Sequence, residues 1–502
     1  MSRVLGYFRD MLVAHAFGAG LAADAFYAAY RIPNLLRRLF GEGALSASFI
    51  PIMSEYLHCR TKEETQKLIN SLFTALIIIL SVLSVLGILF APWLVKLIAY
   101  GFTSDPEKLA LTINLTKLMF PFLLFICLAA LALGILNTLG SFFIPAIAPA
   151  SLSVSEILYV VAIAPLLSDT SRITGLALSV IIGGALQFIV QWPQIKKLGW
   201  KLQFSVDFKN PGLKRIAKLM APATLGISVD QINAFVDTIC ASFLLQGSIT
   251  ALYYSNRIVQ MPYAVFGLAL SSVAFPAMSK AAAENNVPAM KETLNFSMRF
   301  IIFILVPAAT ALMILGYPII KVLFERGSFT GQATLLTASA LIFYSLGLPA
   351  FAFAKLLASA FYSFKNTKTP VKIAVISMVI NIALNIILMG PMGVGGLALA
   401  TAVSSWFNAA ALAYLLRKKI GLLGISKIIA TTLKTAAASA VMGALCWALA
   451  YRVFVSMPFT GLFVSIAAGV TAYFLLAILF RIEERKPLLN IILREKPAEL
   501  DD

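Results

Sequence analysis

Charged side chains set inside long apolar runs are the residues of this sequence whose types and spacing could do chemistry. The first two runs carry Arg3, Arg9, Asp10, Asp24, Arg31, Arg37, Arg38 and Glu42, a later one carries Arg257, and Lys355 lies in another. A charge at the centre of a bilayer costs between about 2.5 and 17 kcal/mol, so each of these needs a cavity or a partner. Arginine's planar fork meets phosphate oxygens bidentately and does not lose its charge, so arginines gathered at membrane depth suit an anionic ligand, most economically a diphosphate. The competing reading is structural: single arginines snorkel to an interface, or pair with Asp10, Asp24 or Glu42 to hold helices together. The basic residues outnumber nearby acids and recur in both halves of the chain, which favours a cationic chamber for the set as a whole.

A second constellation is made of oxygen donors. Asp230, Asn233 and Asp237 fall at helical spacing on one side of an apolar run, Asn381 and Asn385 share a face of another, and Thr401 lies in the next. Such donors could coordinate sodium in a dry interior, or Asp237 could carry a proton. They could equally be interhelical hydrogen bonds contributing about 0.6 kcal/mol each. A histidine-based metal site is not expected, because only His15 and His58 are present.

The elements that must position these residues are membrane helices. Of 502 residues, 60% are hydrophobic and 12% charged, and the mean hydropathy is +0.90; soluble domains are far more polar. Apolar runs long enough to cross about 30 Å of hydrocarbon recur from end to end. They predict helices near 1–17, 24–56, 71–100, 113–139, 142–167 and 174–195, then a basic loop from Lys196 to Lys218. Six more follow near 219–245, 251–280, 293–324, 333–364, 370–389 and 396–416, and a last pair near 428–451 and 459–480. The expected fold is therefore an all-α polytopic membrane protein of about fourteen transmembrane helices. The net charge of +18 does not point to nucleic acid, because the basic residues cluster in short loops of the kind that face the anionic cytoplasmic leaflet. By the positive-inside rule both termini are expected in the cytoplasm. Cys59, Cys127, Cys240 and Cys446 form no Cys-x-x-Cys pair and read as reduced packing residues.

The chain also repeats itself. Ala25, Tyr27, Arg31, Ile32, Phe40, Gly41, Ser46 and Phe49 return as Ala251, Tyr253, Arg257, Ile258, Phe266, Gly267, Ser272 and Phe275, a constant offset of 226 (25 to 251). Each repeat holds an even number of spans, so the two halves enter the membrane in the same sense, the parallel-repeat plan of many transporters. This predicts an N-terminal six-helix lobe (1–200), a C-terminal six-helix lobe (201–421), two extra helices (422–482) and a mobile charged tail (483–502).

At these residues the sequence resembles a known family, the MurJ/MviN flippases of the multidrug/oligosaccharidyl-lipid/polysaccharide exporter superfamily. The resemblance covers nearly the whole chain. It is carried by Ser2-Arg3-Val4-Leu5-Gly6 with Arg9-Asp10, by Gly18-Ala19-Gly20 leading to Asp24-Ala25-Phe26, by Arg31-Ile32-Pro33-Asn34-Leu35-Leu36-Arg37-Arg38-Leu39-Phe40 running into Glu42-Gly43-Ala44, and by Tyr253-Tyr254 with Arg257. It implies a V-shaped pair of six-helix lobes, with the last two helices forming a groove for a polyprenyl tail. It further implies substrate contacts from Arg3, Arg9, Asp24, Asn34, Arg37 and Arg257, the arginines engaging the diphosphate. Asp237, Asn381, Asn385 and Thr401 are similar to the sodium site of some members, with Asn385 standing where an aspartate can occur. Members usually carry further residues ahead of the Ser-Arg-Val-Leu-Gly motif, which implies a start upstream of Met1.

The activity so implied is transport without catalysis: flipping of the undecaprenyl-diphosphate-linked precursor lipid II from the inner to the outer leaflet of the bacterial inner membrane, for cell-wall synthesis. No cofactor is expected beyond sodium or a proton as coupling ion, and the chain is expected to act as a monomer. The alternatives are an exporter of another polyprenyl-linked oligosaccharide and an ion-coupled drug exporter. A drug exporter carrying cations would need an acidic chamber, and this one is basic. An enzyme acting at the membrane face would need a cluster of acids or histidines on a sizeable polar loop, which the sequence lacks.

Overall fold

In hydrocarbon every backbone N–H and C=O must find its partner within its own segment, so an apolar chain of this kind is driven into helix. The computed structural model describes residues 2–422 and 424–485, apart from the side chains of Ser2, Arg3, Phe40, Glu42, Gly43, Ala44, Ala47, Asp169, Thr170 and residues 221–230. Among the described residues there is no strand.

The first part of the chain forms α1 (Ser2–Phe17), α2 (Leu21–Leu36), α3 (Ser46–Cys59), α4 (Lys62–Leu89), α5 (Ala91–Ile98), α6 (Pro106–Met119), α7 (Phe122–Thr138), α8 (Phe143–Ile147), α9 (Ala150–Leu158), α10 (Asp169–Ile189) and α11 (Trp192–Lys197). The remainder forms α12 (Pro211–Ser242), α13 (Ser248–Pro262), α14 (Ala269–Ala283), α15 (Val287–Ile314), α16 (Gly316–Phe324), α17 (Gly331–Leu346), α18 (Leu348–Ser363), α19 (Lys368–Ile420), α20 (Ile425–Ala448) and α21 (Pro458–Leu479). Polar residues punctuate these helices where their first amides need acceptors. Thr61 and Glu64 make a reciprocal capping box at the start of α4, and Asp105 accepts from the Lys108 amide at the start of α6.

Among the described residues, eight helical stretches, some of them joining two of these elements, are long and apolar enough to cross a membrane, and α17 with α18, bent by 42°, adds a ninth. At 1.5 Å per residue the 53 residues of α19 would run about 80 Å as one rod. Instead the helix breaks at Gly393, with φ 54° and ψ −129°, and divides into two helical segments. The other expected spans fall at α1, at the α2–α3 rod, at the stretch from α8 through α9, and at α12, a single helix of 32 residues. In the first three of these, charges or prolines dilute the apolar signal.

The sequence repeat is visible in the backbone. The rod from α2 to α3 is interrupted by a π-helical stretch at Arg37–Leu45, and the rod from α13 to α14 by another at Tyr263–Leu268, which starts at the equivalent position of the second repeat. Short α5 and α16 correspond in the same way, each following a long helix, α4 or α15, after a one-residue break. The sequence pattern had each long and short pair as one helix.

By packing, the chain divides into two compact units, one of Met1–Thr250 with Arg326–Thr330, the other of Ala251–Glu325 with 331–502. This boundary differs from that between the six-helix repeats at 200/201, because α12 packs against α3 and the Arg37–Leu45 stretch of the first unit. In the second unit α20 lies against α15 and α21, and the Tyr473 hydroxyl, buried, donates to the Phe303 carbonyl at 2.6 Å. The first residues beyond 482 pack on the second unit. The Glu484 carboxylate is buried, 2.6 Å from Arg299 on α15, and Thr431 on α20 donates to it. A charge so paired ties the end of α21 into the fold; residues 486–502 lie outside the described part. Cys127, Cys240 and Cys446 are buried, as expected of packing residues, whereas Cys59 is exposed.

Gly393 offers a clean test of the α19 break. A Cβ there would meet nothing within 4 Å, so Gly393→Ala is opposed by backbone conformation alone, at a cost of about 1–3 kcal/mol. Gly390→Ala, equally open but without positive φ, should be near neutral. Thermal unfolding of the two purified variants in detergent compares them directly.

Candidate functional site

In the first unit the ionisable residues of the membrane helices form two clusters. At the first, Arg9 on α1 directs Nε and Nη2 to the Oδ1 of neighbouring Asp10 at 2.9 and 2.6 Å, and Nη1 reaches Glu156 on α9 at 3.3 Å. All three side chains are largely buried. α1 packs along α9, which is what places an acid from the fifth apolar run beside an arginine from the first. Tyr30 on α2 lies within electrostatic reach of Arg37, Glu156, Arg9 and Arg38, so the same neighbourhood takes in the end of α2. There the π-helical stretch begins, and Asn34 accepts from Arg37 Nε at 2.9 Å. Local departures of this kind from α-helix re-aim side chains, which is why they gather at functional sites. Earlier on α2, Arg31 Nε donates to Thr238 Oγ1 on α12 at 2.9 Å.

The second cluster is built on Asp24, 1% exposed in the first turn of α2. Its Oδ1 accepts from the amide and the hydroxyl of Thr250 at 3.0 and 2.8 Å; Oδ2 accepts from the Gly247 amide at 2.7 Å and from Lys108 Nζ on α6 at 2.9 Å. The carboxylate therefore caps the start of α13, where unpaired amides and the helix dipole both favour an anion. Asp24 and Thr250 are themselves repeat-equivalent positions, separated by the same offset of 226. Gly247 makes the approach possible: its φ is 93°, and a Cβ there would stand 2.5 Å from the Ala19 carbonyl oxygen. Lys108 Nζ also lies 4.1 Å from the Phe102 ring centroid, so a buried ammonium is held by a carboxylate on one side and an aromatic face on the other. Nearby, the segment 326–330 donates from Ser328 N and Oγ to the His15 and Ala16 carbonyls at 2.9 and 3.2 Å, satisfying acceptors that the end of α1 leaves open.

The sequence-predicted residues thus fall into several places. Arg9, Asn34 and Arg37 belong to one neighbourhood of the first unit, and Asp24 to the second cluster, with both carboxylate oxygens engaged by protein. The backbone of Arg3 lies in the first turn of α1, and its side chain lies outside the described part, as does that of Asp230. Arg257 is half-buried on α13 in the second unit. Of the proposed ion ligands, Asn381, Asn385 and Thr401 come together in the second unit: Asn385 donates to Asn381 at 3.2 Å and Asn381 to Thr401 at 3.3 Å. Asp237, also buried, adjoins Thr238 in the first. No group of three or more His, Cys, Asp or Glu suited to a metal occurs among the described residues.

Glu156, Lys108, Thr238 and Thr250 were missed by sequence reasoning. Glu156 had a signal, as the lone acid of its apolar run. Lys108 had none, since it follows Asp105-Pro106-Glu107 and reads as a loop residue.

Removing Asp24 strands the Lys108 ammonium in a buried site and leaves the Gly247 and Thr250 amides without that acceptor. Asp24→Ala should cost about 3–5 kcal/mol, the range for breaking a buried pair from one side. Lys108→Met introduced into the Asp24→Ala background should recover part of that loss, read as a non-additive double-mutant cycle in thermal unfolding.

Comparison with known proteins gives this geometry a family. The family model for the lipid II flippase MurJ matches residues 13–479. The probable lipid II flippase of Vibrio cholerae is 39% identical over 461 residues, 89% of this chain and 87% of that protein; the lipid II flippase of Burkholderia cenocepacia is 38% identical over 84% of this chain and 82% of its own. Among solved structures, a lipid II flippase in an inward closed conformation is similar with a TM-score of 0.80 and 30% identity, covering 96% of this chain and 97% of that one. An inward-facing multidrug transporter of the MOP superfamily shares the fold alone, at a TM-score of 0.67 and 15% identity, covering 84% of this chain and 95% of that one. The chain belongs to the MurJ family of lipid II flippases.

Proposed function

We propose that this multi-pass membrane protein carries lipid II, an anionic polyprenyl-diphosphate lipid, from the inner to the outer leaflet of the bacterial inner membrane by alternating access. It is a transporter and not an enzyme. The observation that supports the reading is the placement of arginines on the helices of both repeats: Arg9 and Arg37 in the first unit, each oriented by a neighbouring side chain, and Arg257, half-buried in the second.

In this reading both termini face the cytoplasm, and the protein works as a monomer without nucleic acid. The diphosphate and sugar head enters from the cytoplasmic side and exchanges with the carboxylates that hold Arg9. The polyprenyl tail stays in lipid beside α20 and α21. The start of α2 then lies towards the outside, and the Asp24 cluster is the closure that must release Gly247 and Thr250 before the head can leave. With the cell interior negative, each net negative charge moved outward gains about 2.3 kcal/mol per 100 mV, so the membrane potential favours export. Sodium at the Asn381, Asn385 and Thr401 oxygens, or a proton on Asp237, is the proposed coupling ion.

Arg257→Ala should abolish flipping while the protein remains folded and inserted. The test is the accessibility of lipid II to a membrane-impermeant head-group enzyme in spheroplasts in which only the variant is present. Lipid II trapped inside supports the reading; normal accessibility sinks the arginine model. Arg37→Lys should also impair flipping strongly, because an ammonium keeps the charge but loses the bidentate fork.

A further inference from the structure

Between α11 and α12 the chain leaves helix from Trp200 to Asp207 and turns at Phe208 and Lys209, where the Asp207 amide donates to the Ser205 carbonyl and the Lys209 amide to the Asp207 carboxylate; α4 holds its first part, Lys201 to Ser205, by a ladder of side chains. Gln66 exchanges two hydrogen bonds with the Lys201 backbone, Asn70 accepts from the Gln203 amide at 3.2 Å, and Thr74 accepts from the Ser205 amide at 2.8 Å. Positions 66, 70 and 74 lie one helical turn apart, and alternate residues of the extended chain meet them, so the ladder sets which edge of the ribbon faces α4. The side chains then alternate strictly: Leu202, Phe204, Val206 and Phe208 are apolar, whereas Lys201, Gln203, Ser205, Asp207 and Lys209 are polar.

Such alternation ordinarily marks a strand whose apolar face packs on a core. Here Leu202 is buried, but Phe204, Val206 and Phe208 are 72%, 75% and 49% exposed. The segment 196–218 carries seven basic residues against the single Asp207, and Lys196, Lys197, Lys201 and Lys209 are all exposed. Trp192 and Trp200 flank it, with Lys196 and Lys62 over their rings at 5.6 and 5.7 Å, the amphipathic aromatics expected where a helix leaves the bilayer.

We infer that residues 201–209 form an amphipathic ribbon lying in the membrane interface, with Phe204, Val206 and Phe208 in the acyl boundary and the lysines on anionic phospholipid head groups. Exposed apolar side chains on a pinned ribbon gain most where water gives way to acyl chains, and a cationic rim is drawn to an acidic leaflet. The choice of leaflet rests on the cytoplasmic placement proposed above for this loop. The ribbon thereby anchors the connection between the two repeats in the plane of the membrane.

A spin label at Val206→Cys, in a Cys59→Ser background, tests this in nanodiscs of phosphatidylcholine with and without phosphatidylglycerol, with a label at Gln203→Cys as the reference. The label at 206 should collide more with oxygen dissolved in lipid than with an aqueous nickel chelate, and the one at 203 should do the reverse. Phosphatidylglycerol should deepen the label at 206, and the double variant Lys201→Gln with Lys209→Gln should abolish that dependence. A label at 206 that reads water in both lipids overturns the ribbon, and depth insensitive to lipid charge overturns the anionic head-group contact. Labelling Lys209→Cys from each side of the membrane tests the leaflet separately: reaction from outside refutes the cytoplasmic placement while leaving the lipid contact standing.

Discussion

A charge buried among apolar helices must bring its own counter-charge or hydrogen-bond donors, and this constraint organises the first unit. Asp24 is the clearest case. Its two oxygens receive three donors from the approach to α13 and its first turn, together with the Lys108 ammonium, so that α2, α6 and the first turn of α13 are tied at one point. The Arg9, Asp10 and Glu156 cluster obeys the same rule with the signs reversed. Both are arrangements that are expensive to break from one side and inexpensive to exchange for an equivalent partner.

The backbone adds a second constraint. The π-helical stretches at Arg37–Leu45 and Tyr263–Leu268 occupy equivalent positions in the two repeats, and the first begins at an arginine aimed by Asn34. A wider turn re-registers the helix beyond it, so side chains on either side cannot keep the face that an ideal rod would assign them. At Gly393 the α19 helix breaks through a conformation that other residues adopt only under strain. Irregular backbone of this kind is tolerated at membrane depth where neighbouring helices supply the missing partners.

Much of the fold was legible in advance because a bilayer leaves little choice: an apolar run of sufficient length becomes a spanning helix. The reading failed where the pattern is blind to a single break. Residues 71–100 and 293–324 each looked like one helix, yet each divides into a long and a short one at Phe90 and Leu315. The repeat in the sequence also says nothing of the packing boundary, because α12 belongs to the second repeat in sequence but packs on the first unit. Nor does anything local mark Glu484, in the charged tail, as the partner of an arginine as distant in the chain as Arg299.

The sequence by itself determined the membrane as solvent, the parallel repeat and the presence of intramembrane arginines, because these follow from composition, period and the cost of burying charge, all of which are local. Only the tertiary structure decided which charges are paired. Lys108 reads as a loop residue and Asp24 as a ligand for something outside the chain, yet their side chains meet at 2.9 Å. That meeting depends on how α2 packs on α6, and a pairing between segments so far apart in the chain leaves no trace in the hydrophobic pattern of either.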